Sequence, residues 1–235
     1  MNEEGMFKEK INIVNILRTR SYTKRSLNEL IKKANLNKEL SHNDLSGINL
    51  SNLNLSKIDF SFSNLGGVSI IKSNLNHSNF RSVNLGGSNI GYCEAKNADF
   101  ECANLSGINM PYAKADGATF RGAALSGAYM AYNSLRNTDF SDAYLWGAFL
   151  RGSDLSHSNL SGAYLNGADI KGANLSDSNL KSTLLRGANI KNVIIKKSDA
   201  KDLVLSLNIV KIQVLKKLNI EEISLILENK GVIIK

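Results

Sequence analysis

From Leu45 to Leu205 every fifth residue is apolar, and this regularity constrains the chain more than any other feature of its sequence. The 33 positions run Leu45, Leu50, Leu55, Phe60, Leu65, Ile70, Leu75, Phe80 and onward with no insertion or deletion. Their weakest members, Ala95, Ala115 and Ala200, are still apolar. Two residues before each stands a small or apolar residue, such as Ala98, Ala103, Ala118, Ala128 or Ala148. The residue between is usually Asn or Asp, as in Asp99, Asn104, Asp169 and Asn174. A period of five matches neither a helix nor an uninterrupted strand. It matches a short extended segment followed by a turn. Apolar residues two apart then face the same side, and the Asn or Asp between them faces out. The remaining two residues, often Ser-Gly or Lys-Gly, make a corner, where glycine relieves the steric limits on the backbone.

A second period lies above the first. Every fourth apolar position gives a column of leucine alone: Leu45, Leu65, Leu85, Leu105, Leu125, Leu145, Leu165, Leu185, Leu205. Another column reads Phe60, Phe80, Phe100, Phe120, Phe140, then Leu160 and Leu180. Four five-residue units therefore make one coil of twenty residues, with like side chains stacked at the strand spacing of about 4.8 Å. Roughly eight coils give a rod about 40 Å long. In the column containing Ala95 and Ala115 the core is thin, because Cys93 and Ala113 beside them are small too; Met110 and Phe120 are the expected fillers.

The units Ala103-Asn104-Leu105-Ser106-Gly107, Ala168-Asp169-Ile170-Lys171-Gly172 and Ala173-Asn174-Leu175-Ser176-Asp177 resemble those of the pentapeptide-repeat family, which read A(N/D)LXX. The resemblance implies an all-β solenoid, a right-handed quadrilateral β-helix of about eight coils, over residues 41–207. A solenoid must cover its end coils. Residues 1–40 are read as an N-terminal helical cap: Phe7, Ile11, Val14 and Leu17 recur at helical spacing, and Ser26 with Glu29 forms a capping-box pattern before Leu27, Leu30, Ile31 and Ala34. Residues 208–235 are read as a C-terminal helical cap, with Asn219 opening a helix, Gly231 past its end and a strand-like Val232-Ile233-Ile234 after it. Bulky inner residues near both ends, Ile48, Leu53, Ile58, Val193 and Leu203, are expected to meet these caps. In many members of the family a C-terminal segment of this kind also forms a homodimer.

The net charge of +8 is distributed as +4 over residues 1–40, +2 over 41–207 and +2 over 208–235, so no long basic groove for nucleic acid is implied. The N-terminus carries Glu3 and Glu4 and no export pattern, and no apolar run has the length of a membrane span, so the expected compartment is the cytoplasm, with Cys93 and Cys102 reduced. Register puts Cys93 inside and Cys102 on a corner, so no disulfide between them is expected. His77 and His157 share a column but stand four coils apart, about 19 Å, and His42 lies elsewhere. No metal ligand set, catalytic triad, paired acid or phosphate loop emerges, and neither an enzyme nor a cofactor is expected.

What departs from the uniform surface is aromatic. Tyr92, Tyr112 and Tyr132 stack at one corner; Tyr129 with Phe149, and Tyr144 with Tyr164, take the outward place usually held by Asn; Trp146 joins them. Beside them runs the column Arg151, Lys171, Lys191, with Asp169 next to Lys171 as a partial counter-charge. The Tyr92 column reads as a stabilising ladder. Tyr129, Tyr132, Tyr144, Trp146, Phe149 and Tyr164, with Arg151 and Lys171, read as a partner-binding surface. The expected function is a non-enzymatic protein-interaction scaffold whose partner is another protein. Two alternatives come from the resemblance: a DNA-mimic protein that protects DNA gyrase, and a bacterial effector delivered to host cells, for which the N-terminal segment leaves room. A DNA mimic is strongly acidic, whereas residues 41–207 hold 15 basic and 13 acidic residues.

Overall fold

Each outward residue pairs, in parallel, with the residue twenty positions further on: Asp44 with Asn64, Asn64 with Asn84, and so on to Asn174 with Ile194. The computed structural model in which these pairs are seen describes residues 40–196 and 219–235. Columns of pairs through Asp44, Asn49, Asn54 and Asp59 form four faces, as the leucine and phenylalanine columns require.

One unit explains the repeat. In Ala103–Gly107, the Ala103 amide donates to the Phe100 carbonyl at 3.1 Å and closes the preceding corner. The Asn104 amide donates to Val83 O of the coil before (2.9 Å), and the Leu105 and Gly107 amides to Ala124 O (2.7 Å) and Ser126 O (2.9 Å) of the coil after. Only the Ser106 amide lacks a backbone acceptor, and Asn104 Oδ1 supplies one at 3.2 Å. All five donors are satisfied, as buried and half-buried backbone demands, and the Asn or Asp before each apolar residue exists for that last bond. The second corner residue is left-handed throughout. Glycine takes it without strain, but non-glycine residues from His42 to Asn192 hold it at φ of 53–62°.

Every described apolar residue of the five-residue series is buried. Phe60, Phe80, Phe100, Phe120 and Phe140 stack at centroid distances of 5.0, 4.9, 4.9 and 4.7 Å. Met110 and Phe120 are fully buried beside Ala95 and Ala115. Where Ser replaces Ala it bridges coils: Ser73 Oγ donates to Leu50 O (2.8 Å) and accepts from the Leu53 amide (3.1 Å). Cys93 takes such a place, its Sγ donating to Ile70 O at 2.8 Å, and burial pushes its thiol up to about 11. Cys102 is exposed on a corner, and both cysteines are free.

At the C-terminal end, α1 (Ile220–Glu228) starts at Asn219, whose side chain accepts from the Glu222 amide (2.9 Å) while the Glu222 carboxylate accepts from the Asn219 amide (2.8 Å). This is the capping box. Past Gly231, at φ 78°, strand β2 (Ile233–Ile234) pairs in parallel with β1 (Ile194–Ile195). The terminal strand thus takes the place on this face that the next coil would occupy. Ile223, Leu227 and Val232 join the core, and Val193 beneath them is fully buried. The expected N-terminal helices, together with Ala200, Leu203, Leu205 and the boundary at residue 207, lie outside the described residues. No helix among the described residues is long and apolar enough to cross a membrane.

Candidate interaction surface

Apart from Phe62, which is 55% exposed and stacks on His42 at 4.9 Å in the first coils, the outward aromatic residues form three groups. Tyr92, Tyr112 and Tyr132 stack face to face at 5.2 and 5.4 Å on one corner. Lys72 Nζ lies 6.0 Å from the Tyr92 centroid at the start of this ladder. At its other end Gly152 leaves room for the last ring, since a Cβ there would stand 2.7 Å from Tyr132. Tyr129 and Phe149 form a tilted pair at 6.1 Å on the face beside that corner. On the next face Tyr144 and Tyr164 stack at 5.0 Å, and Trp146 meets both edge-on at 6.1 and 6.2 Å.

These rings are large and open to solvent: Trp146 is 51% exposed, Tyr132 48%, Phe149 46%, Tyr129 44% and Tyr144 43%, with Tyr164 half-buried between its neighbours. Leu184 belongs with them. It pairs with Tyr164 and is 45% exposed. It stands twenty residues after Tyr164, and that spacing was the available signal.

The aromatic substitutions remove a hydrogen bond that the repeat normally makes. Tyr129, Tyr144, Phe149 and Tyr164 stand where Asn or Asp would accept from the first corner amide, so the amides of Ala131, Trp146, Arg151 and Asn166 have no acceptor among the described residues. By contrast, the Ser141 amide donates to Asp139 Oδ1 (2.9 Å) and the Ser156 amide to Asp154 Oδ1 (3.1 Å). Each such bond contributes on the order of 1 kcal/mol. The rings thus exchange the side-chain acceptor at these corners for stacking contacts, worth about 0.5–1.5 kcal/mol per pair.

Charge follows the same division. Elsewhere, charged residues one coil apart alternate in sign. Glu101 sits between Arg81, which it pairs closely, and Arg121 at 3.6 Å; Lys114 meets Glu94 at 3.3 Å; Arg136 meets Asp116 at 2.9 Å and Asp154 at 4.0 Å. Partial burial raises the pKa of Asp116, but bonds from the Arg136 guanidinium, the Ser134 hydroxyl and the Arg136 amide outweigh it and hold the carboxyl below the usual range. Arg151, Lys171 and Lys191 are the exception. Among the described residues they form the one run of like charge on consecutive coils, and none has an ion-pair partner. Asp169, expected as a partial counter-charge, makes no ion pair with the Lys171 ammonium among the described residues; its Oδ1 accepts from the Lys171 backbone amide (3.1 Å) and from Asn189 Nδ2 (3.0 Å).

Comparison with known proteins supports the repeat directly. The family model for pentapeptide repeats matches in eight copies, over residues 44–81, 78–111, 103–142, 134–172 and 163–199. No curated protein matches the sequence at a significant level. Among solved structures, QnrB1, a plasmid-mediated fluoroquinolone resistance protein, is 22% identical, with 72% of this chain and 96% of that one covered at a TM-score of 0.34. A pentapeptide repeat protein from the Arabidopsis thaliana thylakoid lumen is 24% identical, with coverage of 52% and 73% and a TM-score of 0.30. HetL from Nostoc sp. strain PCC 7120, involved in heterocyst differentiation regulation, is 21% identical, with coverage of 65% and 85% and a TM-score of 0.24. With the repeat model spanning most of its length and the amide pattern of each unit accounted for, the chain belongs to the pentapeptide-repeat family.

Proposed function

We propose that this chain is a non-enzymatic, cytoplasmic scaffold: a right-handed rod of about eight coils, closed by helical ends, that holds a rigid surface against a partner protein. The observation that carries this reading is the group Tyr144, Trp146, Tyr164 and Leu184, with Tyr129 and Phe149 on the adjoining face. Large exposed rings clustered on two adjoining faces, in places the repeat normally gives to Asn or Asp, fit a recognition surface. The near balance of acid and base along the repeat disfavours a gyrase-protecting DNA mimic.

Tyr144→Ala with Trp146→Ala tests the reading. The double variant is expected to keep its β-sheet circular dichroism and to stay within a few degrees of the parent Tm, because only surface rings are removed. It is also expected to lose at least about tenfold in capture of a specific partner, the scale of a central aromatic anchor. Recovery of the same partners, at the same yield, by parent and variant contradicts the proposal.

A further inference from the structure

The cationic corner and the aromatic faces point to the chemistry of the occupant. We infer that the partner contributes an extended acidic segment, which lies along the rod beside Arg151, Lys171 and Lys191; the inference rests on reading the aromatic patch as a docking surface. Three observations converge on this corner. Arg151, Lys171 and Lys191 follow one another at about 4.8 Å per coil, without the alternation of sign seen in Arg81–Glu101–Arg121, Glu94–Lys114 and Asp116–Arg136. Like charges placed directly opposite one another on neighbouring strands destabilise a sheet, so this arrangement asks for an anion from outside.

On the same corner, the Arg151 amide lacks the Asn or Asp oxygen that satisfies its counterparts, the Lys171 amide on Asp169 and the Lys191 amide on Asn189 at 3.3 Å. Arg151 is exposed, and a carboxylate arriving there replaces the oxygen that Phe149 has displaced. The third observation is the Tyr132 ring, which ends its ladder one coil before Arg151 and adds a hydroxyl donor and the electropositive rim of an aromatic ring to the same strip.

Nucleic acid fits less well. A base needs an open ring face to stack on, and here the tyrosines are stacked on one another at 5.0–5.4 Å. Along the two tyrosine stacks, the one beside Arg151 included, what remains are rims and hydroxyls, which suit carboxylates. An extended segment places side chains of one side about 6.8 Å apart, so three acidic residues on that side cover the distance of about 10 Å from Arg151 to Lys191.

The test uses the full chain and fluorescence anisotropy with a short labelled peptide in which Glu alternates with Ser around a central Leu. Its controls are the Gln-for-Glu counterpart and a single-stranded oligothymidylate of matched charge. The acidic peptide is expected to bind at least about tenfold more tightly than the Gln peptide, and to weaken as salt is raised. In the variant R151Q/K171Q/K191Q that affinity falls at least about tenfold, while Tm stays the same or rises because the mutual repulsion is gone. A merely structural column would lose stability instead. The inference is overturned if the acidic peptide does not bind, if the Gln peptide binds as well, if oligothymidylate binds more tightly, or if the triple variant is less stable or keeps its affinity. Should partner capture fail in Tyr144→Ala with Trp146→Ala yet persist in the triple variant, the docking surface stands and the acidic segment falls.

Discussion

Phe100→Ala is expected to be the most damaging single substitution in the repeat. Its ring is fully buried and stacked on both sides, 4.9 Å from Phe80 and 4.9 Å from Phe120, at the middle of a ladder of five. Removing it deletes two stacking contacts and leaves a void that coils pinned by backbone bonds above and below cannot close. The expected loss is about 3–5 kcal/mol, or roughly 6–20 °C in Tm for a chain of this size. Phe100→Leu provides the control. The same column continues as Leu160 and Leu180, both buried, so the coil accommodates leucine and the loss is expected to be less than half as large. Thermal unfolding followed by circular dichroism reads both. Equal losses in the two variants would mean that the stacked ring, rather than apolar burial, holds the column.

Deleting a whole coil is expected to be far milder than deleting half of one. Removal of residues 66–85 joins Leu65 to Gly86-Gly87, the same dipeptide that followed it before, and keeps every column intact, with Phe60 now over Phe100 and Leu65 over Leu105. Removal of residues 66–75 also preserves the five-residue period, but it seats Phe80 over Leu50, Ile90 over Phe60 and Ala95 over Leu65. A phenylalanine then presses on a face sized for leucine, and an alanine leaves a gap. Overpacking and cavity terms together put the ten-residue deletion at least about 3 kcal/mol below the twenty-residue one, although it removes less of the chain. Denaturant midpoints for the two deletions decide whether the coil is twenty residues long in solution.

Most of the fold was legible because each unit solves its own hydrogen bonding by the same local rule. Inner, outer and corner places could be assigned by counting in fives, and neighbours along the rod by counting in twenties. Cys93, Cys102, the Phe60 to Phe140 ladder and the Tyr92 to Tyr132 stack all fall where counting puts them. The pairing of Ile233–Ile234 with Ile194–Ile195 was not legible, because it joins segments separated by a stretch of chain with no shared period. Nor was the use of Asp169: only geometry shows that its Oδ1 turns to the Lys171 backbone amide and to Asn189. Leu184 was missed for a different reason. A leucine in the outward place looks unremarkable until it is seen to extend the Tyr144–Tyr164 stack into one apolar strip.

The most direct measurement of the central claim is site-specific photo-crosslinking from two places on the rod. A benzophenone side chain at Asn166, on the corner one coil from Trp146, is compared with one at Asn79, on another face and three coils before Asp139. Illumination in native lysate is predicted to give a discrete protein adduct from position 166 that disappears with Tyr144→Ala, and none from position 79. The same adducts from both positions, or none from 166, would contradict the assignment of this surface to a partner protein.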